Sequence, residues 1–142
     1  MLSLLDVNVL IALLDENHAH HVATVRWFSG HVEQGWASCA ITQNGCLRIL
    51  SQPKYPNALT VGDALSRLRE AVSTRSHHFL ANDLSLLDNT VIDSTHVLGH
   101  RQLTDIYLLA LAVAHQARLV TLDKAVPLAA VRGASTESLL VI

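Results

Sequence analysis

The stretch SLLDVNVLIALL at residues 3–14 decides the fold of this chain. It opens with a short apolar run, Ser3 to Asp6, that is typical of a buried strand, and it continues from Val7 to Leu14 as a short apolar helix. The clearest strand of the chain, at residues 119–122, is likewise stopped by an aspartate, Asp123. Buried strands that alternate with helices predict a parallel sheet, because parallel neighbours need a crossover connection between them.

The rest of the chain repeats this alternation without a linker or an internal repeat. The sequence therefore predicts a single domain over residues 1–142, an α/β fold with three layers (α/β/α) and a mostly parallel central sheet. Further strands are predicted at Trp36–Cys39, His78–Leu80 and Leu139–Ile142. Further helices are predicted at Ala19–Val32, from the cap Thr42 to Leu50, from the cap Thr60 to Val72, at Asp83–Leu87, and from Asp105 to about Gln116 with Thr104 as its cap.

Composition excludes several classes of protein. Half of the 142 residues are apolar and 15% are charged, which excludes a disordered chain. The longest apolar run is far shorter than the roughly 20 residues of a membrane span, so no membrane association is expected. Cys39 and Cys46 are predicted to be small core residues, and a cytoplasmic location is the simplest expectation. The net charge of −2 argues against coating of nucleic acid, but five basic and two acidic side chains give residues 48–78 a local charge of +3.

Three aspartates are directed to one edge of the predicted sheet. Asp6 and Asp123 each follow a strand, and Asp105 begins a buried helix, so all three lie at the carboxyl ends of the strands. Each alone could be a helix cap. Together their charges repel unless a cation lies between them, and oxygen ligands without His or Cys suit Mg²⁺ or Mn²⁺. We therefore expect the three carboxylates to meet within about 5 Å around a divalent ion.

Four segments in this order resemble the PIN-domain ribonucleases, and among them the VapC-type toxins of bacterial toxin–antitoxin pairs. They are LLDVNVLIALL at 4–14, ITQNGCLRIL at 41–50, GHRQLTDIYLLALAV at 99–113 and RLVTLDKAV at 118–126. The resemblance spans nearly the whole chain. It implies a small α/β domain that cleaves RNA with Mg²⁺ or Mn²⁺, an antitoxin that wraps the protein, and a homodimer. The helices at 19–32 and 41–50 are the candidate dimer faces.

The resemblance also assigns roles to individual residues. Asp6, Asp105 and Asp123 would hold the metal and carry catalysis, while Asn8 and Thr121 would orient ligands, water or substrate beside them. Arg101 lies one turn before Asp105, which suits contact with an RNA phosphate; a buried or partner-facing arginine is the alternative.

One position departs from the family pattern. Gln43 stands in a T-Q-N-G sequence where the family commonly has glutamate, and an amide can neither ionise nor act as a general base. Gln43 is therefore a candidate catalytic position with reduced power. The alternative function is a PIN domain that binds RNA or its antitoxin but cleaves weakly. A phosphotransfer domain is a weaker alternative, because Asn8 replaces the second acid of the D-x-D motif that such domains use.

Overall fold

The computed structural model describes all 142 residues and contains five α-helices and five strands. The strands are β1 (Ser3–Leu5), β2 (Trp36–Cys39), β3 (His77–Leu80), β4 (Arg118–Thr121) and β5 (Leu139–Val141). The helices are α1 (Val7–Leu14), α2 (His21–His31), α3 (Ala40–Leu50), α4 (Val61–Val72) and α5 (Leu103–Ala114).

The five strands form one sheet in the order β3-β2-β1-β4-β5, and every neighbouring pair is parallel. All five carboxyl ends therefore lie along one edge. In the pairing of β1 with β4, Leu5 lies opposite Val120, so the residues that follow these two central strands emerge side by side. The predicted α/β fold with a parallel sheet is confirmed.

Two hydrophobic clusters cover the two faces of the sheet and account for the three layers. On one face, α5 contributes a continuous buried run from Ile106 to Ala112. On the other face, α1, α3 and α4 contribute Val9, Cys46 and Ala64 to a second cluster. None of the helices combines the length and the apolar character needed to cross a bilayer.

Three local predictions were wrong. Residues 83–87 form no helix. Leu84 and Leu86 are half-buried against the core while Leu87 is 91% exposed, and residues 86 and 87 lie in a turn that the Asp88 N–H closes onto the Ser85 carbonyl. Thr42 is the third residue of α3 rather than its cap. Its hydroxyl accepts a hydrogen bond from the Cys39 backbone N–H at 2.9 Å and thereby satisfies the residue that does cap the helix.

The third wrong prediction concerns the start of α5. Thr104 is its second residue and not its cap, because the helix continues directly from a 3₁₀ turn at His100–Gln102 and needs no capping side chain there. By contrast, the prediction of Thr60 as the cap of α4 is confirmed: its hydroxyl accepts from the Asp63 backbone N–H at 3.1 Å.

Candidate active site

The edge formed by the carboxyl ends of β1 and β4 brings the three aspartates into one neighbourhood. Asp6 follows β1 and caps α1, with its Oδ1 accepting from the Val7 backbone N–H at 2.7 Å. Asp123 lies two residues beyond the end of β4, and Asp105 is the third residue of α5. The cap role and the site role of Asp6 are therefore compatible, since one carboxylate oxygen serves the helix and the other faces β4.

Thr121 is the residue that fixes this arrangement. It is fully buried, and its hydroxyl donates to Asp6 Oδ2 at 2.6 Å. Thr121 Oγ1 also accepts hydrogen bonds from Asn8 Nδ2 at 3.2 Å and from the Asp123 backbone N–H at 3.0 Å. Asn8 completes the network by accepting from the Leu122 backbone N–H at 3.1 Å. Thr121 and Asn8 thus join β4 to α1 and orient the Asp6 carboxylate.

Electrostatics couple the three carboxylates. Burial raises the pKa of Asp105 to about 6, and the neighbouring charges of Asp6 and Asp123 add to that rise; no hydrogen bond lowers it. Burial and the charge of Asp123 also raise the pKa of Asp6, against the hydrogen bonds from Thr121 and Val7 that lower it. The site therefore contains acids that are close enough to disfavour one another's ionisation, which a cation would relieve.

A cleft of about 360 Å³ opens beside two of these acids. Asp6 and Asp105 lie on its wall, and the opposite wall is the exposed side of α3, with Asn44 and Arg48. Helix α3 approaches α1 closely here because Gly45 faces Val7, where a Cβ would lie only 2.8 Å from Val7 Cγ2.

The donors at this edge fit a hard divalent cation in their chemistry. All three are carboxylates, and the Asp105 carboxylate has no hydrogen-bond donor of its own. The predicted meeting of all three carboxylates around one ion is not seen as a preformed cage, since no three His, Cys, Asp or Glu side chains lie in a metal-holding group. An open edge of this kind suits Mg²⁺, which keeps several waters and takes only one or two carboxylates directly.

Gln43 lies in a different environment from the three acids. Its Nε2 donates to Ser38 Oγ at 2.9 Å, and Ser38 Oγ in turn lies 2.8 Å from His77 Nε2. Gln43 lines a separate cavity with Leu47 and Arg69, and it is not part of the wall of the cleft beside Asp6. The structure therefore brings Gln43 to β2 and β3 rather than to the carboxylates.

This chain is similar to known proteins both in sequence and in fold. The family model described as PIN domain matches residues 3–132. The chain belongs to the PIN-domain family. Among its relatives, Ribonuclease VapC44 of Mycobacterium tuberculosis is 50% identical over 139 residues, covering 98% of each chain. Ribonuclease VapC38 of the same organism is 40% identical over 126 residues, 88% of this chain and 87% of that protein.

These identities place this PIN domain among the VapC proteins and confirm the resemblance seen in its sequence. A solved structure agrees in fold: the crystal structure of VapBC2 from Rickettsia felis bound to a DNA fragment from their promoter superposes with a TM-score of 0.58. That chain is 13% identical, with 87% of this chain and 88% of that chain covered.

Two residues that line the cleft of this PIN domain were not predicted from the sequence, and the roles of all the predicted site residues stay predictions. Asn44 and Arg48 line the cleft. Their spacing of four along α3 shows that they share one face of the helix, but it does not show which element that face meets. Arg101 is exposed in the 3₁₀ turn that precedes α5. Its contact with substrate stays a prediction.

Proposed function

We propose that this PIN domain is an endoribonuclease that hydrolyses phosphodiester bonds in RNA with Mg²⁺ or Mn²⁺, and that it is the toxin of a toxin–antitoxin pair. The observation that carries the proposal is Asp105, a carboxylate that lines an open cleft and has no hydrogen-bond donor. Burial raises its pKa, and the charges of Asp6 and Asp123 add to the rise. The 50% identity to a protein named a ribonuclease supports RNA as the substrate.

The three aspartates share one task in this proposal. Asp6, Asp105 and Asp123 would hold the cation, with Asp6 kept in orientation by Thr121. When bound, a divalent cation stabilises negative charge on a phosphate and makes water a better nucleophile. In the reaction the water oxygen bonds to phosphorus, and the bond from phosphorus to the leaving ribose oxygen breaks.

Substrate contacts are proposed for polar residues around the cleft. Arg101 would contact an RNA phosphate from the turn before α5, since its side chain is exposed and carries the planar donor fork that suits phosphate oxygens. Asn8 is half-buried, and Thr121 is fully buried, so Thr121 acts by holding Asp6 rather than by touching RNA.

The alternative of an RNA- or antitoxin-binding domain without strong catalysis rests on Gln43 in place of the family's glutamate. The amide of Gln43 contacts Ser38, and its side chain lines a cavity other than the one beside Asp6 and Asp105. The lack of a carboxylate at position 43 therefore leaves the charges that line the cleft unchanged. This favours a catalytically active ribonuclease over a domain that only binds RNA or antitoxin.

Cleavage of a structured RNA by the purified protein tests the proposal. We expect fragments with Mg²⁺ or Mn²⁺ and none with EDTA. Asp6→Asn and Asp105→Asn should each reduce cleavage by at least roughly a hundredfold, because each removes a charged ligand of the cation. Asp63→Asn is the matched control, since Asp63 is an exposed aspartate in the first turn of another helix, α4. Full activity in either cleft variant, with retained circular dichroism, would refute the assignment.

We also propose a cytoplasmic location, a protein antitoxin as partner, and a homodimer. Of the two predicted dimer faces, α2 presents one strongly exposed apolar side chain, Val22 at 68%, whereas α3 presents none. α2 is therefore the better candidate. Light scattering of the purified protein measures the dimer, and Val22→Asp should shift it to monomer; an unchanged mass would exclude α2 as its interface.

A further inference from the structure

The wall of the cleft that faces the acids carries an uncommitted positive charge. Arg48 is exposed, lines the same cleft as Asp6 and Asp105, and takes part in none of the three ion pairs of the structure. Its guanidinium makes no hydrogen bond within the chain, and the charges that act on the pKa of Asp105 are those of Asp6 and Asp123. Arg48 is therefore free to bind a ligand.

Asn44 shares this wall with Arg48. The two residues are one helical turn apart and lie on the same face of α3, where both are exposed. The glycine between them lets α3 lie against Val7 at the start of α1, so that the pair lines the same cleft as Asp6. The position of the pair is thus built into helix packing and does not depend on a loop.

The chemistry of this wall selects an anion with several acceptor oxygens. A guanidinium offers parallel N–H donors that match two phosphate oxygens, and an amide adds one further donor. A polyanion entering the cleft meets repulsion from the carboxylates on one wall, which a cation there and Arg48 opposite would offset. A phosphodiester chain satisfies both walls at once, because successive phosphates can reach each of them.

We propose that Arg48 and Asn44 bind a phosphate of single-stranded RNA next to the phosphate that is cleaved, and so position the chain across the cleft. This inference rests on the proposed function and deepens it. Arg48 is the main affinity contact, and Asn44 fixes the orientation of the same phosphate.

Binding of a fluorescent single-stranded RNA in EDTA tests the wall without catalysis. Arg48→Ala should weaken binding roughly five- to tenfold and lower the slope of log affinity against log salt by about 0.7, the value for one phosphate contact on a single strand. Arg48→Lys should restore the slope but only part of the affinity, because lysine lacks the fork. Arg75→Ala is the matched control, since Arg75 is exposed but lies outside the cleft.

Steady-state cleavage adds a second reading. Arg48→Ala should raise KM several-fold and change kcat less, whereas a folding defect would lower the active fraction and leave KM unchanged. RNA affinity and salt slope equal to those of wild type, in a folded Arg48→Ala protein, overturn the proposal. The proposal is also wrong if Arg48→Ala loses binding to a labelled oligoglutamate peptide but keeps its binding to RNA. That result would make the wall a contact for an acidic protein segment.

The two proposals fail in different ways. A wild-type protein that binds RNA through Arg48 but never cleaves it with Mg²⁺ or Mn²⁺ rejects the ribonuclease and keeps the wall. A protein that cleaves RNA with Asp6 and Asp105, and binds it equally well after Arg48→Ala, rejects only the wall.

Discussion

Helix α1 has a buried aspartate at each end, and the two behave in opposite ways. Asp6 precedes the helix and is 5% exposed, while Asp15 follows it and is 6% exposed. The pKa of Asp6 is raised above its ordinary value, and the pKa of Asp15 is lowered below it. Similar exposure of the two side chains therefore does not set the direction in which their pKa values shift.

The surroundings of the two carboxylates explain the difference. Burial raises the pKa of Asp15, but hydrogen bonds from the Tyr55 hydroxyl, the Asn17 backbone N–H and the Asn57 amide outweigh it. Asp6 has two donors and a like charge nearby. An aspartate surrounded by donors holds the chain together, here the loop after α3 to the end of α1, whereas an aspartate beside other acids is available to a cation.

The largest effect that sharpens this contrast is expected from Asp15→Asn. The variant loses charge-assisted hydrogen bonds and sets an amide against the donors of Tyr55 and Asn57, so the free energy of unfolding should fall by about 2 kcal/mol at pH 7. Because the folded pKa is lowered, this contribution is present above about pH 4 and is lost in acid.

Urea unfolding at several pH values measures that loss, and cleavage of RNA at low temperature measures activity. Activity per folded molecule should stay at the wild-type level. A variant of wild-type stability, or one that is folded but inactive, would end the distinction between a structural and a functional end of α1.

A smaller effect of opposite sign is expected from Asp105→Asn. With a folded pKa of about 6 against an ordinary 3.8, Asp105 favours folding below about pH 4, and this contribution is lost as the pH rises through 6. The free energy of unfolding of Asp105→Asn relative to wild type should therefore be about 1 kcal/mol higher at pH 7 than at pH 4, which allows for the partial solvation of the side chain.

Thermal unfolding of wild type and variant across this range of pH is the measurement. Mg²⁺ or Mn²⁺ should raise the melting temperature of the wild type and have little effect on Asp105→Asn. If the variant is less stable than wild type at pH 7, the Asp105 carboxylate is stabilised by hydrogen-bond donors or cations in the chain, as Asp15 is, and the contrast between the two kinds of aspartate is wrong.

The smallest effect is expected from Gln43→Glu. This variant tests whether a carboxylate at position 43 acts on the metal site, as the three aspartates would, or only on the local structure, as Asp15 does. Glutamate cannot donate to Ser38, so the chain from Ser38 to His77 must reverse its donors, at a loss of about 0.5 kcal/mol. Burial and the charge of His78 lower the pKa of His77 in the wild type, and the new carboxylate should raise it.

Titration of His77 by NMR, with cleavage measured in parallel, gives the outcome. Cleavage should change by less than about twofold, since no charge is added beside the cation. Tighter Mn²⁺ binding and faster cleavage would instead assign Gln43 to the metal site.

The features of the fold that depend on local sequence pattern and on chain topology could be predicted from the sequence. The alternation of strands and helices was legible because buried strands and amphipathic helices have distinct periods. The shared edge of Asp6 and Asp123 followed from parallel pairing alone. The helix predicted at residues 83–87 was wrong, because the chain turns there and packs two half-buried leucines on the core. Tertiary contact overrode local propensity there.

The positions of Arg48 and Gln43 relative to the cleft could not be predicted, because they depend on how α3 is rotated against its neighbours. Both residues lie on one helix, and the sequence alone does not say which face meets α1. Packing of Gly45 on Val7 decides it: Arg48 then faces the cleft and Gln43 faces Ser38.

That same contact makes the breadth of the cleft depend on a missing methyl group. With a side chain at position 45, α3 would have to move away from α1 by part of an ångström, or Val7, the residue that follows Asp6, would have to shift. Gly45→Ala should therefore lengthen the distance between Arg48 and the carboxylates without contacting either, so a residue with no functional group of its own sets the width of the cleft.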